Sequence, residues 1–201
     1  MSTRVRPLAD SHTVAAIVFY GLIAVFVVLE QRVRLRSVLS REGERRDAGS
    51  LLLILVCAGG GLAGAFVVAA HVPSTAVTVA RWPLFVAGLA LMVAGIGVRQ
   101  WAVALLGSLF TVDVRVREGQ QVIDRGPYRF VRHPSYSGLL LTLAGIGVSL
   151  DNWLSIACVV LPASLGIIVR IEVEERALLT ELGEPYRRYA EGRARLVPHL
   201  W

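Results

Sequence analysis

The chain has 201 residues, of which 55% are apolar and only 18% charged, with a mean hydropathy of +0.61 and a formal net charge of +6. A soluble domain of this length carries about a quarter charged residues, so composition argues against the soluble globular, disordered and disulfide-scaffold classes. All 21 basic residues are arginine, and long apolar runs separate them, which points to a membrane surface rather than to nucleic acid.

A transmembrane helix needs about 20 mostly apolar residues to cross about 30 Å of hydrocarbon. The first such run covers 13–29. It has a weakly basic start (Arg4, Arg6) and no A-x-A-like cleavage site after it, so it reads as a retained span rather than a signal peptide. The second run covers 50–70, and the third starts near Trp82-Pro83 and reaches Leu106, interrupted by Arg99 and Gln100. Runs four and five, 137–150 and 153–169, are separated only by Asp151-Asn152. That polar pair is a tight-turn signal and predicts a helical hairpin, with the fourth run short for a crossing. The expected fold is all-α: a polytopic membrane helical bundle of about five segments in one integral-membrane domain, 1–201. Three helices occupy 1–107, and a second half with the hairpin and a C-terminal helix occupies 108–201.

The arginines predict an orientation. Assigned to alternate flanks, 17 lie on one side, three on the other, and Arg99 lies within a span. By the positive-inside rule the heavy side is cytoplasmic, with the N-terminus outside and the C-terminus in the cytoplasm. Arginine in place of every lysine suggests a GC-rich genome and a bacterial cytoplasmic membrane.

Two glycine patterns call for a reading. Gly59-Gly60-Gly61-Leu62-Ala63-Gly64 matches the dinucleotide fingerprint G-x-G-x-x-G, but it lies inside an apolar run instead of between a strand and a helix. Gly60 and Gly64 are therefore expected to form a G-x-x-x-G packing surface. The pentapeptide Ala-Gly-Ile-Gly-Val occurs at 94–98 and 144–148 without wider similarity, and reads as chance in small-residue-rich spans.

Polar chemistry concentrates in two places. Between the third span and the hairpin, glycines and prolines break the strand-like alternation of Val112, Val114 and Val116, so a loop at the membrane surface is expected. It ends in Arg132-His133-Pro134-Ser135-Tyr136-Ser137-Gly138, where Pro134 suits the first helical position. The backbone N–H groups there could receive a carboxylate or phosphate; interfacial His133 and belt Tyr136 are the plainer alternative. After the hairpin, the last span continues as a helix through 170–182, ended by Gly183 and Pro185. Glu174 falls on its apolar stripe between Ile171 and Leu178, four residues after Arg170, so Arg170 and Glu174 are expected to pair. Scattered histidines and two cysteines in different spans, Cys57 and Cys158, point away from a metal site or a disulfide.

These residues carry a resemblance. Gly126-Pro-Tyr-Arg-Phe-Val-Arg-His-Pro-Ser-Tyr-Ser-Gly138, a hairpin, Arg170-x-Glu-x-Glu-Glu175, Gly183-x-x-Tyr186-x-x-Tyr189 and Leu196-Val-Pro198 resemble the isoprenylcysteine carboxyl methyltransferase family over about 108–198. The resemblance implies a membrane-embedded enzyme using S-adenosyl-L-methionine. It implies a cytoplasmic cofactor pocket on Asp113, Gln120, Gln121, Val122, Ile123, Tyr128, His133, Pro134, Ser135 and Tyr136, and a catalytic, substrate-side pair, Arg170 and Glu174. Arg193 is a weaker carry-over. Gln120 stands where the family often has His, which keeps hydrogen bonding and gives up charge. The implied reaction is methyl transfer to a lipophilic acceptor, foremost the carboxylate of a prenylated cysteine, without metal or nucleic acid. The alternatives are a phospholipid amine or small thiol acceptor, or a non-catalytic transporter or scaffold.

Overall fold

The computed structural model describes residues 7–39, 49–110, 122–198 and 201, together with the backbone at 44–45 and 115–116. Helix α1 (Leu8–Ser11) leads into α2 (Thr13–Leu39), followed by α3 (Ser50–His71) and α4 (Arg81–Leu106). The hairpin is α5 (Pro134–Ser149) and α6 (Trp153–Leu182), and α7 (Glu184–Ala190) follows. A two-residue antiparallel ladder joins β1 (Glu44–Arg45) to β2 (Arg115–Val116). Asp113, Gln120 and Gln121 lie outside the described residues.

Among the described residues, four helices are long and apolar enough to cross a membrane: Thr13–Ser37, Ser50–His71, Arg81–Leu106 and Trp153–Leu182. The fifth segment, α5, has 16 residues and so rises only about 24 Å. It is the expected hairpin arm, shorter than the bilayer core, and it buries its length between α4 and α6. The hairpin turn is built as the polar pair requires. Asp151 takes the left-handed conformation at φ +51, and the Asn152 side chain caps α6 by accepting from the Ser155 N–H at 3.1 Å.

Glycines set the α4–α5 contact. A Cβ on Gly95 would sit 2.5 Å from Thr142 N, and one on Gly145 would sit 2.6 Å from the Gly88 carbonyl. Gly88 and Gly138 are equally tight, so two seven-residue glycine spacings face each other along the antiparallel pair. The repeated pentapeptide thus has a structural consequence: its first glycine, 95 or 145, lies in this interface in both copies. The expected Gly60/Gly64 surface is corrected. Among the described residues, a Cβ on either would meet nothing within 4 Å, whereas one on Gly61 would press to 2.6 Å on the Cys158 carbonyl. The rotation of α3 aims Gly61 at α6 and leaves its neighbours facing outward.

Apolar burial fills the bundle around Phe19, Phe85, Met92, Ile146 and Val159, with the Phe19 ring tilted against those of Phe66 and Phe85. The hairpin-turn end is closed by polar contacts. Asp151 accepts from the Leu8 N–H at 2.9 Å and from Arg81 at 3.2 Å, and Thr75 donates to Asn152 at 3.0 Å. The opposite end collects the start of α3, the end of α4, the start of α5 and the C-terminal stretch of α6. That end carries the site.

Candidate active site

Three sequence-distant segments meet at this end because α5 starts where α6 leaves the bundle. Pro134 opens α5 after the cap residue His133 (φ −125, ψ 58). The tail returns alongside: the N–H groups of Arg132 and His133 donate to the carbonyls of Ala194 and Arg195 at 2.9 and 3.0 Å. Ser137 Oγ donates to the Leu196 carbonyl at 2.6 Å. The amides of Tyr136 and Ser137 close on the His133 carbonyl at 3.0 and 3.1 Å, so these two donors of the expected anion cradle are already engaged.

Arg170 and Glu174 converge through a third residue. The Arg170 Nε donates to the Tyr136 hydroxyl at 3.1 Å, and that hydroxyl donates to Glu174 Oε2 at 2.8 Å. Arg170 is 2% exposed and also donates to Ser50 Oγ at 2.8 Å, which ties the start of α3 to the site. The sequence pairing of Arg170 with Glu174 is therefore a chain in which Tyr136 is the middle link.

Glu175 is the residue the sequence reading passed over. It is 6% exposed and receives Arg132 at 2.8 Å, His133 Nε2 at 3.2 Å and Arg195 at 2.9 Å. One carboxylate thus fastens the segment before α5 and the C-terminal tail to α6. The signal was present in the doubled Glu174-Glu175, but only a structure tells which of the two turns inward. Arg193, by contrast, pairs with Asp124 at 2.8 Å and covers the Tyr189 ring at 4.7 Å.

The expected cofactor residues separate into two groups. His133, Pro134, Ser135 and Tyr136 form the cap and first turn of α5. Tyr128, Val122 and Ile123 instead pack with Tyr186, Tyr189 and Leu178 in an aromatic cluster beside it. Tyr189 donates to the Tyr128 carbonyl at 3.0 Å. Burial first, then the charges of Glu174 and Glu175 respectively, hold the Tyr128 and Tyr186 hydroxyls far above the ordinary tyrosine range. Burial pushes Tyr189 up to about 12, with Arg193 opposing it. Among the described residues, the buried Tyr186 hydroxyl has no hydrogen-bond partner. An orphaned donor among neutral aromatic rings fits a nucleoside-bearing sulfonium cofactor, which needs apolar stacking, a polar contact and cation–π cover.

Beside Arg170 and Tyr136 opens a cavity of about 260 Å³. Its walls are apolar side chains of α2, α3 and α5, including Phe26, Ile54, Leu62 and Leu143, and its polar end holds Arg170, Tyr136, Arg99 and Glu30. An apolar chain with an anionic head matches that polarity.

Comparison with known proteins shows what this chain is similar to. The isoprenylcysteine carboxyl methyltransferase family model matches residues 88–180. The chain is 35% identical over 112 residues to a probable protein-S-isoprenylcysteine O-methyltransferase of Oryza sativa subsp. indica, covering 55% of this chain and 59% of that protein. It is 32% identical over 115 residues to protein-S-isoprenylcysteine O-methyltransferase A of Arabidopsis thaliana, covering 56% and 58%. The structure of the eukaryotic intramembrane Ras methyltransferase, isoprenylcysteine carboxyl methyltransferase, superposes with a TM-score of 0.59 at 26% identity, over 72% of this chain and 52% of that one. The chain thus spans under two thirds of the length of the relatives it matches. Four apolar helices and this fold make it an integral membrane protein. Residues 88–180, just under half of the chain, thus resemble the isoprenylcysteine carboxyl methyltransferase family, and the helical bundle around them resembles that enzyme's fold.

Proposed function

We propose that the protein transfers a methyl group from S-adenosyl-L-methionine to the carboxylate of a prenylated cysteine or a similar lipid carboxylate. The observation that carries the reading is the apolar cavity ending on Arg170 and Tyr136, beside the α5 turn. The family match and the plant relatives' names support the same acceptor class.

The cofactor, when bound, supplies an electrophilic methyl on a sulfonium, open to in-line displacement with a neutral thioether as leaving group. The protein's residues then have three tasks. The acceptor carboxylate is ionised at neutral pH, so no general base is required. Arg170 holds it as a guanidinium fork, with its own direction set by Tyr136, Ser50 and, through Tyr136, Glu174. The apolar walls take the lipid chain and exclude water, which strengthens the guanidinium–carboxylate contact. Tyr128, Tyr186, His133, Pro134, Ser135 and Tyr136 would hold the cofactor, with Val122 and Ile123 against its apolar face. Asp113, Gln120 and Gln121 are proposed to complete that set. Under this reading the arginine-rich end faces the cytoplasm, where the cofactor is available, and the membrane is a bacterial cytoplasmic membrane.

The test is saturable S-adenosyl-L-methionine binding by the purified full chain in detergent, followed by methylation of an S-prenylated N-acetylcysteine. Binding that is lost in His133→Ala, and methylation that is lost in Arg170→Ala with binding kept, is the expected result. No saturable binding by the wild-type protein would sink the enzyme reading. Undiminished methylation in Arg170→Ala would sink the carboxylate assignment and favour an amine or thiol acceptor.

A further inference from the structure

One ion pair inside the bundle has no part in the chemistry above. Glu30, on α2, meets Arg99, on α4, in a two-pronged contact: Arg99 Nη2 donates to Oε2 at 2.7 Å and Arg99 Nε donates to Oε1. Arg99 is 7% exposed, and its remaining arm, Nη1, donates to the backbone carbonyl of Ser135 at 3.1 Å. Ionisable groups within spans are costly, so a retained pair calls for a function. Here the guanidinium has three oriented donors on two partners, and the second partner is the first turn of α5, one residue before Tyr136.

The backbone makes this reach possible. A Cβ on Gly138 would stand 2.6 Å from Arg99 N and 2.9 Å from Arg99 Cβ, so only glycine lets α5 lie close enough for its first-turn carbonyl to meet this side chain. Arg99 and Glu30 also border the cavity that Arg170 and Tyr136 close. A helix outside the family-matched stretch is thereby joined to the site by two consecutive polar contacts.

We propose that Glu30 is a positioning residue of the site: by fixing the Arg99 guanidinium it holds the Ser135 carbonyl, and with it the turn that presents Ser135 and Tyr136. The kinetic part of this proposal rests on the methyl-transfer reading; the coupling of Glu30 to the α5 turn does not. A lysine at 99 would keep a charge facing Glu30 but lose the planar fork that reaches two partners at once. An arginine at 30 with a glutamate at 99 would restore a pair and leave the Ser135 carbonyl without its donor.

The experiment uses the full chain in lipid nanodiscs and reads hydrogen exchange of the 131–137 and 147–152 peptides, melting temperature, and methylation of an S-prenylated N-acetylcysteine. In Glu30→Gln and Arg99→Lys, exchange at 131–137 is expected to rise at least about fivefold with 147–152 unchanged, and acceptor kcat/KM to fall about tenfold, the scale of a small misplacement at a reacting centre. The Glu30→Arg, Arg99→Glu exchange is expected to recover the melting temperature but neither the exchange protection nor kcat/KM. Unchanged exchange at 131–137 in the single variants, or a rise spread equally over both peptides, overturns the proposal. So does recovery of protection in the charge-exchanged protein, which would mark the pair as structural only. A wild-type chain that binds no S-adenosyl-L-methionine sinks the methyl-transfer reading instead, while the exchange data still decide the coupling.

Discussion

Neutralising Glu175 probes whether one carboxylate fastens the site together. In Glu175→Gln the amide keeps nearly the same shape, but Arg132, His133 and Arg195 lose the anion at 2.8, 3.2 and 2.9 Å. Removing one partner of a buried ion pair costs about 3–5 kcal/mol, because the remaining charges stay desolvated. Arg132 and Arg195 keep 18% and 28% of their side chains exposed, so water recovers part of that loss. A cost of about 2–3 kcal/mol follows, and for a chain of this length each kcal/mol lowers the melting temperature by about 2–4 °C. The expected drop is therefore about 5–10 °C, read from tryptophan fluorescence of the detergent-solubilised protein on heating. Glu172→Gln is the internal control: that carboxylate lies on the same helix, exposed, 3.9 Å from an exposed Arg176. Its melting temperature should stay within about 1 °C of wild type, since exposed pairs contribute little. Equal, small shifts in both variants would refute the argument that Glu175 is the fastening point of the tail and the α5 segment.

Other predictions follow from the same geometry. Gly95→Val and Gly145→Val should each destabilise strongly or prevent folding, because the added Cβ meets backbone at 2.5–2.6 Å, whereas Gly64→Val should leave the melting temperature unchanged; a reversed order in a thermal-shift assay would contradict the α4–α5 packing. At the hairpin turn, burial raises the Asp151 carboxyl above its ordinary value despite the Leu8 N–H and Arg81. The protonated form is thus favoured in the folded state, and the resulting stabilisation is full below about pH 4 and lost as pH rises through the raised value. The stability difference between wild type and Asp151→Asn should accordingly shrink from pH 4 upward and level off; a difference that grows with pH would reverse the sign. Tyr128 and Tyr186 should stay protonated beyond the ordinary tyrosine range, with Tyr189 titrating near 12, so alkaline difference spectra of Tyr→Phe variants at these positions should match wild type at pH 10.5.

Much of this molecule is local and therefore readable along the chain. Apolar run lengths alone locate α2, α3, α4 and α6, because crossing hydrocarbon demands about 20 apolar residues whatever lies beside them. Asp151-Asn152 marks the hairpin turn, and Pro134 and Gly183 mark helix ends, since each acts through its own backbone geometry. Arg170 was legible through Glu174 on an apolar stripe, while His133 and Tyr136 were marked by the proline-led helix start and given roles only by the family resemblance. What no spacing rule carries is rotation about a helix axis and contact between distant segments. That is why Gly61 rather than Gly60 and Gly64 meets a neighbour, why the chance-like pentapeptide puts a glycine into one interface twice, and why Glu175 takes the inward place. The 21 arginines show the division most plainly. Their distribution along the sequence predicts a membrane orientation, because that depends only on which flank each occupies. Which arginines face the site was decided by tertiary packing: Arg170 on Tyr136, Arg99 on Glu30 and Ser135, and Arg132 and Arg195 on Glu175. A guanidinium becomes part of a site only when helices far apart in sequence bring its partners within about 3 Å.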